Sequence, residues 1–174
     1  MKIFKIIILQ IYWYISIKYG NNFFIPVLGL LIFCGDYFIF RKAEKLNRKY
    51  LFFSVILVIT GFLMDKIFNL VGILFWGDRF YPIELVGVWL IFPTYYYHFF
   101  KKFTSPKWLP FIAGSIFGPI AYISGGNINP ELTLSFGAFP NQLSLLFLSI
   151  CWGIYFGGSI YLFFKSKLFD YTLN

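Results

Sequence analysis

Apolar positions in this chain come in long unbroken runs, not as a stripe on one face of a helix or as alternation along a strand. Six runs stand out, from about Ile3 to Ile17, Phe23 to Phe40, Tyr50 to Phe75, Tyr81 to Phe100, Trp108 to Ser124 and Leu143 to Phe164. A bilayer span takes roughly 20 apolar residues, within a range of about 17–25, and the runs meet or approach that length. The pattern predicts an all-α integral membrane protein: one domain over residues 1–174, a bundle of about six transmembrane helices. The first run follows Lys2 and Lys5 as a secretory leader would. Lys18, Tyr19 and Gly20 come after it instead of a small-residue cleavage pattern, so a short uncleaved helix is expected. Pro26 falls near the start of the second run, where a helix tolerates proline.

Composition agrees with lipid as the solvent. The chain is 59% hydrophobic and 13% charged, against about 25% charged in ordinary soluble domains. The net charge of +8 gives orientation. Lys2 and Lys5, the cluster Arg41, Lys42, Lys45, Arg48 and Lys49, then Lys101, Lys102 and Lys107, and finally Lys165 and Lys167 all fall on one side of a six-span chain. Lys18 and Arg79 fall on the other. Basic loops stay in the cytoplasm, so both termini are expected there. The same distribution argues against nucleic acid as a partner, because the basic residues lie between apolar runs and not on one soluble face. Anionic lipid headgroups suit them better.

Little in the sequence points to a metal or cofactor. Cys34 and Cys151 each lie inside an apolar run, His98 is the single histidine, and no Cys-x-x-Cys or His-Glu-x-x-His pattern occurs. We expect no metal and no cofactor. Aromatics reach 25%, and codon bias in an A+T-rich genome accounts for that more simply than a flat ligand does.

Polar residues inside apolar runs are costly and mark either function or ion pairs. Asp65 and Lys66 interrupt the third run. At about 1.5 Å per residue, Asp65 lies roughly 22 Å from Tyr50, in the outer half of the membrane. Gly61, Asp65, Asn69 and Gly72 follow helical spacing, and Asp78, Arg79 and Glu84 come next at the outer boundary. Asp65, Lys66, Asn69, Arg79 and Glu84 are therefore candidates for one substrate-binding site that opens outward. The competing reading makes them ion pairs that close the outer face, with Lys66 snorkelling. Asp36 and His98 lie near the cytoplasmic ends of the second and fourth runs at matching depth, which makes them a candidate proton relay. Glu84, Gly87, Ile91, Tyr95 and His98 share one face of the fourth helix.

Small residues mark the packing faces of the last two helices. Gly114 and Gly118, followed by Pro119, Tyr122 and Gly125, form one small face, and Gly153 and Gly157 repeat the spacing. In lipid such faces let helix backbones approach closely. Pro119 is expected to kink the fifth helix.

An ordered set of motifs resembles a family of small bacterial inner-membrane proteins of unknown function. It comprises Gly61-x-x-x-Asp65, an aromatic helix holding Trp89, Phe92 and His98, the block Gly118-Pro119-x-x-Tyr122-x-x-Gly125, and the late Trp152. The resemblance covers most of the chain, and Lys66 and Glu84 depart from it. It implies residence in the bacterial inner membrane, in a family whose members are often encoded near fatty-acid-modifying enzymes of the cyclopropane-synthase type. A fainter similarity to membrane carotenoid cyclases rests on Pro82-Ile83-Glu84-Leu85, which lacks the second acid of the cyclase motif.

No catalytic motif accompanies the intramembrane polar groups. The expected function is to bind or handle a lipid-like or small hydrophobic molecule, with membrane lipids as partners and a second membrane protein or another copy of the chain beside it. This reading leans away from an enzyme. A small enzyme of lipid or isoprenoid modification, with Asp65 or Glu84 as the acid, and a proton-coupled transporter are the alternatives.

Overall fold

The structure is a computed structural model. It describes residues 2–19, 22–40, 48–100, 106–130, 133–134 and 141–165, apart from the side chains of 2–6, 39–40, 48–49, 95–100, 133–134, 141 and 163–165. Among the described residues the chain is helical, with six helices: α1 (Lys2–Tyr19), α2 (Phe24–Phe40), α3 (Arg48–Leu70), α4 (Ile83–Phe100), α5 (Leu109–Ile128) and α6 (Asn141–Lys165). Two short strands, β1 (Leu74–Phe75) and β2 (Thr133–Leu134), pair antiparallel, with Leu74 opposite Leu134 and Phe75 opposite Thr133. This ribbon ties the α3–α4 connection to the α5–α6 connection.

Among the described residues three helical stretches are long and apolar enough to cross a membrane: Tyr50–Leu70, Leu109–Ile128 and Gln142–Leu162. Phe24–Phe38 and Ile83–Thr94 are apolar but shorter. The distribution of side chains fits a lipid solvent. Leu31, Phe52, Leu63, Phe117, Ile154 and Leu162 stand exposed along their helices, while Ser16, Asp65 and Glu84 are fully buried. Water would penalise that inversion, whereas hydrocarbon favours it.

The third helix stops at Leu70, short of the expected Phe75. Gly72 adopts φ 75°, its N–H donates to the Asn69 carbonyl, and the Ile73 N–H donates to the Phe68 carbonyl. That is a Schellman termination, which needs a residue without a Cβ at the left-handed position. Ile73 and Phe68 bury themselves in the same cluster, as the motif's usual apolar contact does. The fifth helix runs on to Ile128, past the expected Ser124, and the Asn129 N–H still reaches the Gly125 carbonyl at 2.8 Å.

Helix α4 is the hub, because α1, α2 and α3 all pack against it. Tyr12 and Ser16 tie α1 to α2 and α4. The Tyr12 hydroxyl donates to the Ile25 carbonyl at 2.8 Å, and Ser16 Oγ donates to the Glu84 carbonyl at 2.8 Å. Helices α5 and α6 form the most extensive pair. A Cβ on Gly114 would stand 2.5 Å from the Trp152 carbonyl oxygen and 2.6 Å from the Phe156 Cβ. Gly153 and Gly157 present the same absence of side chain to Ser115 and Phe111.

Candidate functional site

The sequence logic of the site begins with two glycines that each seat a tryptophan. A Cβ on Gly61 would stand only 2.3 Å from Cε3 and Cζ3 of Trp89, and one on Gly118 only 2.2 Å from Cγ of Trp152. Trp89 therefore lies flat across α3, and one helical turn further on its Nε1–H reaches Asp65 Oδ2 at 2.6 Å. Gly61 and Asp65 are four residues apart, on the same face of the helix. Tyr122, four residues after Gly118, donates its hydroxyl to Asp65 Oδ1. Trp89 and Trp152 then stack on each other, with centroids 5.7 Å apart and planes 8° from parallel.

Asp65 is completely buried, and the Tyr81 hydroxyl gives it a third hydrogen bond, to Oδ2 at 2.8 Å. An indole N–H can only donate, so Oδ2 serves as an acceptor. Among the described residues no lysine or arginine forms an ion pair with Asp65.

Glu84 is a second, separate centre. Its Oε1 pairs with Arg79 Nη1 at 2.8 Å and lies 3.4 Å from Asn129 Nδ2, which also donates to the Ile17 carbonyl at 3.0 Å. Glu84 Oε2 makes no hydrogen bond among the described residues. Arg79 is 28% exposed, so this pair closes the rim, and removing its cation would strand a buried carboxylate. Arg79→Met is expected to lower stability by about 1–2 kcal/mol, discounted for the solvent that reaches Arg79. Glu84→Gln in the same chain should recover part of the loss, and chemical unfolding of the single and double variants checks the pair.

The five residues expected to form one polar site are thus divided. Asp65 faces inward to two phenols and an indole. Lys66, the next residue and therefore about 100° around the helix, donates to the Phe80 carbonyl at 3.0 Å and lies over the Trp76 and Phe80 rings. Asn69 donates to the Leu74 carbonyl at 3.1 Å and holds the turn after α3. Arg79 and Glu84 pair with each other. Asp36 is half-buried on α2, and the side chain of His98 lies outside the described residues, so the expected relay between them does too. Pro119 lies inside α5, which continues past it, and Gly125 is buried near the end of that helix. Tyr81, Trp89 and Trp152 were not expected as site residues. The signal that could have found them is the pairing of each small residue, Gly61 or Gly118, with a polar residue one turn later, which leaves room for a flat ring between.

A cavity of about 490 Å³ opens beside this cluster, and Asp65, Trp89, Tyr122 and Trp152 stand on its wall. Its lining is otherwise almost wholly apolar, drawn from α1, α4, α5, α6 and the β1 segment. Of its lining residues, Gln10 on α1, Phe75 on β1 and Phe117, Ile120 and Ala121 on α5 are exposed, and we take the α1–α5 set as its rim. Pockets of about 300–1,000 Å³ that are mostly apolar with a few convergent polar groups are the usual form of small-molecule sites.

One family model, described as a protein of unknown function (DUF2878), matches residues 2–157. No curated protein and no solved structure matches the sequence.

Proposed function

We propose a function from the cavity and its acid, because the chain belongs to the DUF2878 family, whose function is unknown: an integral membrane protein that binds a lipid-like or other small hydrophobic molecule. One observation carries the reading, the apolar cavity of about 490 Å³ with the buried Asp65 on its wall. Apolar walls supply non-directional affinity, and a single polar group fixes which end of a ligand points inward. Phe117 and Ile120 on that rim are themselves exposed apolar residues that hydrocarbon would cover, which would give a ligand dissolved in the bilayer a sideways route in.

The proposed setting is the bacterial inner membrane, with all six helices crossing and both termini on the cytoplasmic face. Support comes from the charge asymmetry of the loops and from the β1–β2 ribbon, which brings the α3–α4 and α5–α6 connections to one end. The basic residues Arg48 and Lys49 start α3 at the opposite end. In this setting the protein handles its ligand alone or as an accessory subunit beside a lipid-modifying enzyme.

Ala121→Phe adds a ring at an exposed position of the cavity lining that makes no hydrogen bond to Asp65. The purified variant should unfold at the wild-type midpoint yet lose at least about tenfold in affinity for a hydrophobic probe such as decanol, a difference of 1.4 kcal/mol. Tryptophan fluorescence reports binding directly, because four of the five tryptophans, Trp13, Trp76, Trp89 and Trp152, line the cavity. Unchanged affinity in Ala121→Phe, or no response of the wild type to any hydrophobic probe, would refute the reading.

A further inference from the structure

The cavity offers a ligand more than apolar surface. Its polar wall is a carboxyl group with three neutral hydrogen-bond donors and, among the described residues, no cation paired to it. The nearest basic side chain in sequence, Lys66, is tied to the Phe80 carbonyl and to the aromatic rings outside. Arg79 pairs with Glu84. A buried acid whose charge no neighbour balances favours a ligand that brings the positive charge itself. The walls around it are suited to such a group: Trp13, Trp76, Trp89, Trp152, Tyr122 and Phe92 line the same space, and aromatic faces attract desolvated ammonium groups. The rest of the lining, out to Phe117 and Ile120 at the rim, matches an alkyl chain.

Resting on the binding function argued above, we propose that the ligand is a cationic amphiphile. The juxtaposition of the unpaired Asp65 with four tryptophans in one apolar cavity receives its ammonium head, and the chain leaves between α1 and α5. The head carries no phosphate next to the charge, because Asp65 would repel one. Non-specific electrostatics work against this preference, since the chain itself carries a net charge of +8. A measured preference for cations therefore belongs to the cavity.

The test uses the full chain in a neutral maltoside detergent, with tryptophan fluorescence as the readout and Ala121→Phe as the blank for micelle partitioning. Four probes are titrated: decyltrimethylammonium, decanol, dodecylphosphocholine and tetramethylammonium. Decyltrimethylammonium should bind at least about tenfold more tightly than decanol, 1.4 kcal/mol. The phosphocholine detergent and the chainless tetramethylammonium should both be weaker. In Asp65→Asn the advantage of the ammonium over decanol should vanish while decanol still binds. If decanol matches the ammonium in the wild type, the cationic head is wrong and the hydrophobic-binding function stands. If no probe binds, both fall. If dodecylphosphocholine or tetramethylammonium binds as tightly as decyltrimethylammonium, the phosphate-free amphiphile is overturned. Should Asp65→Asn fail to fold, the wild-type ratio of ammonium to decanol decides alone.

Discussion

Asp65→Leu is expected to destabilise the folded protein by about 3–5 kcal/mol, chiefly through the loss of buried hydrogen bonding. Leucine keeps the branched shape but is bulkier and accepts nothing, and three donors converge on this position, from Tyr81, Trp89 and Tyr122. Each buried donor left without a partner costs about 1–3 kcal/mol. The lower part of the summed range applies, because helices unfolded within lipid find other partners, which reduces interhelical bonds to around 0.6 kcal/mol on average. Asp65→Asn keeps one accepting oxygen and should lose about half as much. The measurement is equilibrium unfolding in mixed micelles by titration with a denaturing detergent, followed by tryptophan fluorescence. A cycle with Tyr122→Phe sharpens it: in the wild type the phenol makes a bond, so its loss destabilises. In the Asp65→Leu background the same phenol is an orphan donor, so removing it should restore stability. Coincident midpoints for wild type and Asp65→Leu, or the same sign for Tyr122→Phe in both backgrounds, would remove Asp65 from its place at the centre of the cluster.

Gly61→Leu should destabilise by a comparable amount, about 3–5 kcal/mol, for a different reason. Trp89 occupies the space that any side chain at this position needs, and the ring is itself held by Trp152 at 5.7 Å and by Tyr155 at 5.7 Å. Overpacking of this kind costs about 1–3 kcal/mol. Displacing Trp89 also breaks its bond to Asp65 and its stacking, worth about 0.5–1.5 kcal/mol for an aromatic pair. Gly61→Ala, with a single added carbon, should give an intermediate loss. Because Trp89 moves, its emission should shift to the red in the leucine variant even before unfolding. A leucine variant with wild-type emission and midpoint would mean that α3 and α4 do not meet as described. The contrasting control is Gly35, where an added Cβ meets nothing within 4 Å, so Gly35→Ala should be close to neutral.

How legible the molecule was differs between fold and site. The helices could be read because a long apolar run has few other destinations in a chain with so few charges. Asp65 could be singled out because a charge inside such a run is conspicuous whatever surrounds it. Its distance along α3 from Tyr50 followed from the constant rise of a helix. Its partners could not be read. The expectation of one polar site took nearness in sequence and depth as nearness in space, whereas Lys66 and Asp65, adjacent in the chain, face different surroundings. Asn69 shares the face of Asp65 but is spent on the Leu74 carbonyl, because a Schellman turn follows it. Arg79 pairs with Glu84 through Oε1, just after the turn that Gly77 makes at φ 64°.

By itself the sequence determined the membrane-compatible composition, the number and rough extent of the helices, the uneven distribution of basic residues and the acids, Asp65 and Glu84, that interrupt or border the apolar runs. All of these are properties of single segments, set by composition and by the regular rise of a helix. The rotation of each helix about its axis, and therefore which side chains meet, was decided only when α3, α4, α5 and α6 came together. Gly61 and Gly118 acquire meaning there, as spaces that tryptophans from other helices fill. The cavity likewise belongs to no single segment, since its walls come from helices far apart in the chain.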